Sequence, residues 1–153
     1  MYMMSTIFKK IKILILAAFL VPVMSIVVVS CKKQNYQGVP NVAVDIRMYS
    51  SDPSFINLNA IGGWVYVNGG NRGIVVYRKN PTDFMAFDRT CSYNPPNVNE
   101  IIKVDPTNNV LLVDPNCGSK FLITDGSVNQ GPATYPLKAY QTTYDGTVLH
   151  IFN

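Results

Sequence analysis

Residues 114–140, DPNCGSKFLITDGSVNQGPATYPLKAY, contain the pattern that decides the fold. Within this stretch, Asp125-Gly126 separates two short runs, KFLIT and SVN. An Asp-Gly pair between such runs is typical of a two-residue β-hairpin turn, because both residues tolerate the positive φ that the turn requires. We therefore expect antiparallel strands on either side of this turn.

Similar short runs extend in both directions along the chain. Asp145-Gly146 separates LKAYQTTY from TVLHIF, and the loop NGGNR separates WVYV from GIVVYR. The other β-type runs are VAVDIRMY (42–49), DFMAFD (83–88), IIKV (101–104) and VLLV (110–113). Only residues 54–63, SFINLNAIGG, are compatible with a helical turn. Short strands with turns between them predict one all-β domain, an antiparallel β-sandwich or small barrel.

The first 30 residues have the composition of a secretory signal. A lysine-rich segment at 9–12 precedes an apolar run over 13–29, and the run ends at Val28-Val29-Ser30-Cys31. This order is typical of a signal peptide, and its last four residues resemble a bacterial lipobox, which is cut before the cysteine. We therefore expect residues 1–30 to be a lipoprotein signal peptide and Cys31 to carry the lipid. An uncleaved transmembrane anchor is the alternative, because the run is just long enough to span a bilayer.

The segment after the signal divides into a tether and a domain. Residues 31–41, CKKQNYQGVPN, are polar and contain Gly and Pro, which is typical of a tether. Residues 42–153 are then the folded domain, and their number suffices for one hydrophobic core.

Charge and address bound the class of partner. Without the signal, ten Lys and Arg oppose nine Asp and Glu, a net charge of +1. Since the chain has no basic stripe interleaved with aromatic residues, we expect no nucleic acid partner. We expect a bacterial cell-envelope protein held to the membrane by its lipid, on the periplasmic or the surface side. A protein partner in the envelope fits this address, but the sequence does not identify one.

A series of short motifs runs through residues 73–140. Its downstream members are Gly118-Ser119-Lys120-Phe121, Asp125-Gly126, Gly131-Pro132-Ala133, Pro136-Leu137 and Tyr140, and AFDRTCSY (86–93) lies upstream. In this order and spacing the series resembles a Rieske domain, an antiparallel β-fold that holds a [2Fe–2S] cluster between two loops. In that family the first loop carries C-x-H and the second C-x-x-H. The resemblance implies a Rieske-like fold and a place for its ligands in this chain.

The resemblance places the four ligand positions of the family at Cys91, Tyr93, Asp114 and Cys117. Only Cys91 keeps the family's residue, because Tyr93 and Cys117 stand where the histidines belong and Asp114 replaces the second cysteine. The one histidine, His150, lies in the last predicted strand, outside these loops. A Rieske centre uses two imidazoles and two thiolates. We therefore expect no metal and no cofactor here, and the alternative is a [2Fe–2S] cluster with altered ligands.

The resemblance also brings Cys91 and Cys117 onto facing loops. The envelope is oxidising, so two thiols within reach would form a disulfide there. Closing a loop of about 26 residues would stabilise the domain by roughly 3 kcal/mol in the chain-entropy model. A redox-active disulfide is disfavoured, because the chain has no C-x-x-C motif and no adjacent histidine to activate a thiolate.

The remaining residues do not indicate an enzyme. The chain has no Ser/His/Asp arrangement, no phosphate-binding loop and no zinc-ligand spacing. Asp88 and Arg89 are predicted to form a structural ion pair rather than a catalytic one, because no nucleophile or base adjoins them. We expect a membrane-anchored lipoprotein whose Rieske-like domain has a structural or interaction role. The alternative function is electron transfer through a [2Fe–2S] cluster in an oxidoreductase system.

Overall fold

The computed structural model describes residues 38–153, which form an all-β fold of two antiparallel sheets. The predicted fold class is confirmed, and the two-sheet architecture is consistent with a Rieske-like fold. The predicted signal peptide, the lipid site at Cys31 and most of the tether lie outside the described residues. Within residues 38–153, no helix combines the length and the apolar character needed to cross a membrane.

Ten strands and one 3₁₀ helix follow one another within residues 38–153. The strands are β1 (Asp45–Tyr49), β2 (Trp64–Val67), β3 (Ile74–Arg78), β4 (Phe84–Asp88), β5 (Lys103–Asp105), β6 (Asn108–Val113), β7 (Lys120–Leu122), β8 (Val128–Gln130), β9 (Ala139–Tyr144) and β10 (Val148–Phe152). The 3₁₀ helix, Pro53–Asn59, lies largely within the segment predicted to hold a helical turn. The two Asp-Gly pairs lie between β7 and β8 and between β9 and β10, as predicted, but these connections span residues 123–127 and 145–147, and only their glycines have positive φ.

The smaller sheet is an insertion into the larger one. The larger sheet has the order β1-β10-β9-β4-β3-β2, and the smaller sheet has the order β5-β6-β7-β8. The chain leaves the larger sheet after β4, builds the smaller sheet, and returns with β9 beside β4. Two loops result, which we call the first loop (residues 89–102, between β4 and β5) and the second loop (residues 114–119, between β6 and β7).

Strands β3 and β4 are buried on both faces, because a different partner covers each face. Phe84 and Ala86 point into a core that also buries Phe55 and Leu58 of the 3₁₀ helix. Phe87, on the opposite face of β4, belongs to a second core with residues of the smaller sheet, among them Leu112 and Phe121. This two-sided burial follows from the alternation of side chains along a strand. Cys91 belongs to the second core, which therefore fixes the start of the first loop.

Asp88, at the end of β4, is fully buried and does not pair with Arg89. Its carboxylate accepts hydrogen bonds from the backbone N–H groups of Asn71 and Thr90 and from the Tyr140 hydroxyl. The Arg89 side chain donates to the Ile102 carbonyl and stacks on the ring of Tyr66. The predicted Asp88–Arg89 ion pair is therefore wrong. Successive side chains along a strand point to opposite faces, so the two groups diverge.

Candidate functional site

The two loops bring together four side chains that can bind a metal ion. Cys91 and Glu100 come from the first loop, and Asp114 and Cys117 come from the second. One donor atom from each of the four lies within 4.8 Å of the others. Cys91 and Asp114 are fully buried, Glu100 is 2% exposed, and Cys117 is partly buried. Three of the four predicted ligand positions thus converge, joined by a glutamate that the sequence reasoning did not single out.

The second loop is a tight turn that holds Asp114 near Cys117. The Asp114 N–H donates to the Ser119 carbonyl, and the Gly118 N–H donates to the Asp114 carbonyl. Gly118 has φ +78°, a conformation that glycine adopts at little cost. The Asp114 carboxylate accepts a 2.8 Å hydrogen bond from the Asn116 N–H, which fixes the side chain within the turn.

The first loop folds back so that Glu100 lies beside Cys91. Thr90 and Ile101 form an isolated antiparallel bridge, and the Cys91 N–H donates to the Glu100 carbonyl at 3.1 Å. Arg72 reaches into the loop from outside and donates to the carbonyls of Glu100 and Pro95. These bonds close the base of the loop and set the position of the glutamate.

Residues 131–137 close the same end of the fold by bonding to both loops. The Ala133 N–H donates to Ser119 Oγ at 2.9 Å, and the Ser92 hydroxyl donates to the Tyr135 carbonyl. Ser119 Oγ is also 3.1 Å from Cys117 Sγ. The motif residue Ser119 therefore links the closing segment to one of the converging thiols.

Tyr93 and His150 occupy other surroundings. The Tyr93 side chain is 51% exposed and lines a surface cleft with Pro95, Pro132 and Tyr135. His150 lies on β10, where its Nε2 is 2.7 Å from the Asp45 carboxylate and its ring stacks on Phe152. As predicted, His150 is a partly buried strand residue outside the loops.

The two sulfurs at the site lie in contact without a bond. Cys91 Sγ and Cys117 Sγ are 3.7 Å apart, whereas a disulfide requires about 2.05 Å. Both cysteines are free thiols in this structure. The Cys91–Cys117 disulfide stays a prediction, and closing it requires the two sulfurs to approach.

Burial governs the protonation of the thiols. It raises the pKa of Cys91 far above its usual range, and the neighbouring Asp114 carboxylate raises it further. Burial also raises the pKa of Cys117. Burial by itself raises the pKa of Asp114, but the neighbouring Glu100 side chain and the hydrogen bond from the Asn116 N–H outweigh it and leave that pKa lowered. Without a metal ion, the site at neutral pH therefore holds protonated thiols beside an ionised Asp114.

Two carboxylate oxygens at the site have no hydrogen-bond partner. Glu100 Oε1 accepts from the side-chain amides of Asn116 and Asn97, and Asp114 Oδ1 accepts from the Asn116 N–H. Glu100 Oε2 and Asp114 Oδ2 are buried and unpaired. Burying such an oxygen without a partner is costly. The site therefore has unused capacity for a proton or a cation.

These residues do not fit a Rieske cluster. That cluster places two imidazoles on one iron and two thiolates on the other, and the chain's one histidine lies on β10. A two-iron cluster also holds its ligand pairs on opposite sides of the iron–sulfur core. Here the four donor atoms all lie within 4.8 Å of one another.

Glu100 is the residue of the site that sequence reasoning missed. The resemblance assigns no ligand to its position, and the glutamate directly precedes the run IIKV. One signal points to it: Glu100 is the one charged residue of SYNPPNVNE (92–100). A charged residue is seldom fully buried unless it pairs with another group, so the burial of this carboxylate indicates a partner.

Comparisons with known proteins give matches among solved structures alone. No protein-family model matches this chain, and neither does any curated protein. Among solved structures, the chain is similar to a chain of the complex of reduced oxygenase and oxidized ferredoxin in carbazole 1,9a-dioxygenase. The identity is 20%, the match covers 73% of this chain and 94% of that chain, and the TM-score is 0.45. A likeness at this level says nothing about what this chain binds.

Proposed function

We propose that this chain is an envelope lipoprotein whose Rieske-like domain holds no [2Fe–2S] cluster and has a structural or interaction role. The observation that carries the proposal is the donor set where the loops meet. It consists of two thiols and two carboxylates whose donor atoms lie within 4.8 Å of one another, and it includes no imidazole. Such a set lacks the ligands from which a Rieske centre takes its potential.

The surroundings of the site support a role in binding a partner protein rather than in electron transfer. The site is closed by three segments, and the surface around it carries exposed aromatic and apolar side chains: Tyr93, Val98, Pro132 and Tyr135. Aromatic residues are enriched where proteins meet. An exposed aromatic and apolar surface of this kind suits an envelope protein partner, and the lipid on Cys31 would hold the domain close to the membrane.

The proposal includes the disulfide between Cys91 and Cys117 as the oxidised form of the site. The contact between the sulfurs supports it, and an oxidant of the envelope would take the two electrons and two protons that its formation releases. Intact mass before and after reduction, with alkylation, tests this point. Two alkylatable thiols in unreduced protein taken from the envelope would overturn it.

A reconstitution experiment tests the absence of the cluster. The full chain is produced with iron–sulfur assembly supported, beside a triple variant that restores the family's ligands, Tyr93→His, Asp114→Cys and Cys117→His. We expect a colourless wild type without iron or labile sulfide and a coloured triple variant. A wild type with about two irons and two sulfides per chain and visible absorption would overturn the proposal. A colourless triple variant that is folded would contradict the Rieske-like assignment of the loops.

A separate experiment tests the anchor. Cys31→Ser removes the thiol that would carry the lipid, so we expect the variant to lose lipid labelling and to leave the membrane fraction. Retention of the variant in the membrane at the wild-type level would favour the uncleaved transmembrane anchor instead.

A further inference from the structure

The four converging side chains form an enclosed set of ligands rather than a surface group of acids. Three of them, Cys91, Glu100 and Asp114, are 2% exposed or less. They come in pairs from two loops that are 26 residues apart at their cysteines. Exposed carboxylates often lie near one another without binding an ion. Buried carboxylates are uncommon, because the charge loses its hydration.

Two unpaired carboxylate oxygens in this set indicate that it can bind a proton or a cation. Glu100 Oε2 and Asp114 Oδ2 are both buried without a hydrogen-bond partner. Neither can donate to the other while both carboxylates are ionised. A shared proton or a shared cation would satisfy both oxygens, and the adjacent sulfurs offer two further ligand atoms to a cation.

The distance between the two sulfurs matches that of two thiolates on one metal ion. The two sulfurs are 3.7 Å apart. Two thiolates bound to the same zinc at about 2.3 Å, in a tetrahedron, stand about 3.8 Å apart. The separation that is too long for a disulfide is thus the separation that a shared tetrahedral ion requires.

The donor types select the ion. Mg²⁺ and Ca²⁺ prefer sets made only of oxygen, and Cu²⁺ prefers tetragonal geometry. Zn²⁺ accepts thiolate and carboxylate together and is tetrahedral in sites closed by four protein ligands. Two thiolates and two carboxylates also leave a zinc site with the same net charge as a four-cysteine site. Each coordinated thiol gives its proton to the solvent.

Hydrogen bonds from outside the set orient the ligands. The Asn116 side-chain amide donates to Glu100 Oε1 at 2.6 Å, and the Asn116 N–H donates to Asp114 Oδ1 at 2.8 Å. The Ser119 N–H and hydroxyl both lie beside Cys117 Sγ. These bonds use the other oxygen of each carboxylate and leave Oε2 and Oδ2 for the ion. Such outer contacts are usual around metal ligands.

We propose that Cys91, Glu100, Asp114 and Cys117 bind one Zn²⁺ ion that joins the two loops in the reduced chain. Because all four ligands come from the protein, the ion is structural and leaves no position for a substrate. The inference goes beyond the proposed function and does not rest on it. In the oxidised chain the disulfide takes the two sulfurs, so the chain holds either the ion or the bond.

Metal binding to the full chain, kept reduced in detergent, tests this site. Metal-free protein is loaded with Zn²⁺ in competition with a chromophoric chelator, and bound zinc is measured by mass spectrometry of the metal. We expect about one zinc per chain. Cys117→Ser, Glu100→Gln and Asp114→Asn each remove a ligand, so each should weaken binding by more than the ~10–100-fold that outer contacts cost. Asp105→Asn, an exposed carboxylate of β5, is the matched control and should bind like the wild type.

Cobalt gives a second readout that does not depend on the stability of a variant. In the reduced wild type, Co²⁺ should show intense tetrahedral d–d bands and a sulfur-to-cobalt charge-transfer band. The zinc proposal is overturned if folded, reduced wild type takes up no more zinc than the Cys91→Ser/Cys117→Ser variant. It is also overturned if Co²⁺ gives only a weak octahedral spectrum without the charge-transfer band. The two carboxyl groups would then share a proton.

Discussion

Removing one hydroxyl, by Tyr140→Phe, should destabilise the domain measurably. Tyr140 closes the series of motifs after the second loop, and its hydroxyl donates a 2.7 Å hydrogen bond to Asp88 Oδ2. Both side chains are buried, at 6% and 0% exposure. The bond ties β9 to the end of β4, where the first loop begins.

The structure fixes the expected magnitude. A hydrogen bond to a charged group contributes about 1.5–3 kcal/mol. The Asn71 N–H still donates to Asp88 Oδ2 at 2.7 Å and the Thr90 N–H to Oδ1, so the carboxylate is not left without partners. The phenyl ring keeps its packing, so no large cavity term is added. We therefore expect the free energy of unfolding to fall by about 1.5–3 kcal/mol, or roughly one to two powers of ten in the folding equilibrium.

Urea unfolding of the full chain in detergent, followed by circular dichroism, measures this loss. Tyr135→Phe is the matched control, because Tyr135 is 42% exposed and its change should lie within about 0.5 kcal/mol of the wild type. A Tyr140→Phe variant as stable as the control would refute the reasoning. It would mean that the hydroxyl and the carboxylate gain as much from water in the unfolded chain as from each other.

Three further changes test other parts of the fold. Gly126 has φ +73°, and an added Cβ would lie 2.6 Å from a buried aromatic ring, whereas a Cβ at Gly146 would meet open space. In urea unfolding, Gly126→Ala should therefore lower the free energy of unfolding by about 1–3 kcal/mol more than Gly146→Ala does. Ser119→Ala removes the acceptor of the buried Ala133 N–H and should cost about 1–3 kcal/mol, with faster hydrogen exchange at that amide; unchanged exchange would argue against the bond. The pKa of Asp145 lies below its usual 3.8 because the backbone N–H groups of Val148 and Thr147 donate to its carboxylate. The ionised Asp145 carboxylate therefore stabilises the fold above its unfolded pKa, and this contribution is lost as pH falls through the lower folded pKa. Asp145→Asn keeps an acceptor but does not titrate, so its free energy of unfolding in urea should fall less at acid pH than that of the wild type.

Turn chemistry made most of the fold predictable. The Asp-Gly pairs at 125–126 and 145–146 each lie between two neighbouring strands: the aspartate accepts a hydrogen bond from the N–H two residues on, and the glycine takes a positive φ. The run DFMAFD (83–88) also predicted a strand, and β4 covers its residues 84–88. The sequence did not show that the smaller sheet is inserted between β4 and β9, because strand order depends on long-range pairing that local patterns do not encode.

The site was predictable only in part. The resemblance brought Cys91, Asp114 and Cys117 together correctly, since their loops follow from strand ends that the motifs mark. Glu100 joins them because the Thr90–Ile101 bridge folds the first loop back, and that contact leaves no local signal in the sequence. The resemblance also placed Tyr93 among the ligand positions, but its side chain is half exposed and lies in a surface cleft.

Native mass spectrometry of the chain taken from cells supplied with iron and zinc tests the central claim most directly. The claim is that the two loops are joined through Cys91 and Cys117 without an iron–sulfur cluster. The account predicts a mass increased by one zinc in the reduced chain, or lowered by two hydrogens in the oxidised chain. A mass increased by two irons and two sulfides, lost when the site cysteines are replaced by serine, would contradict it.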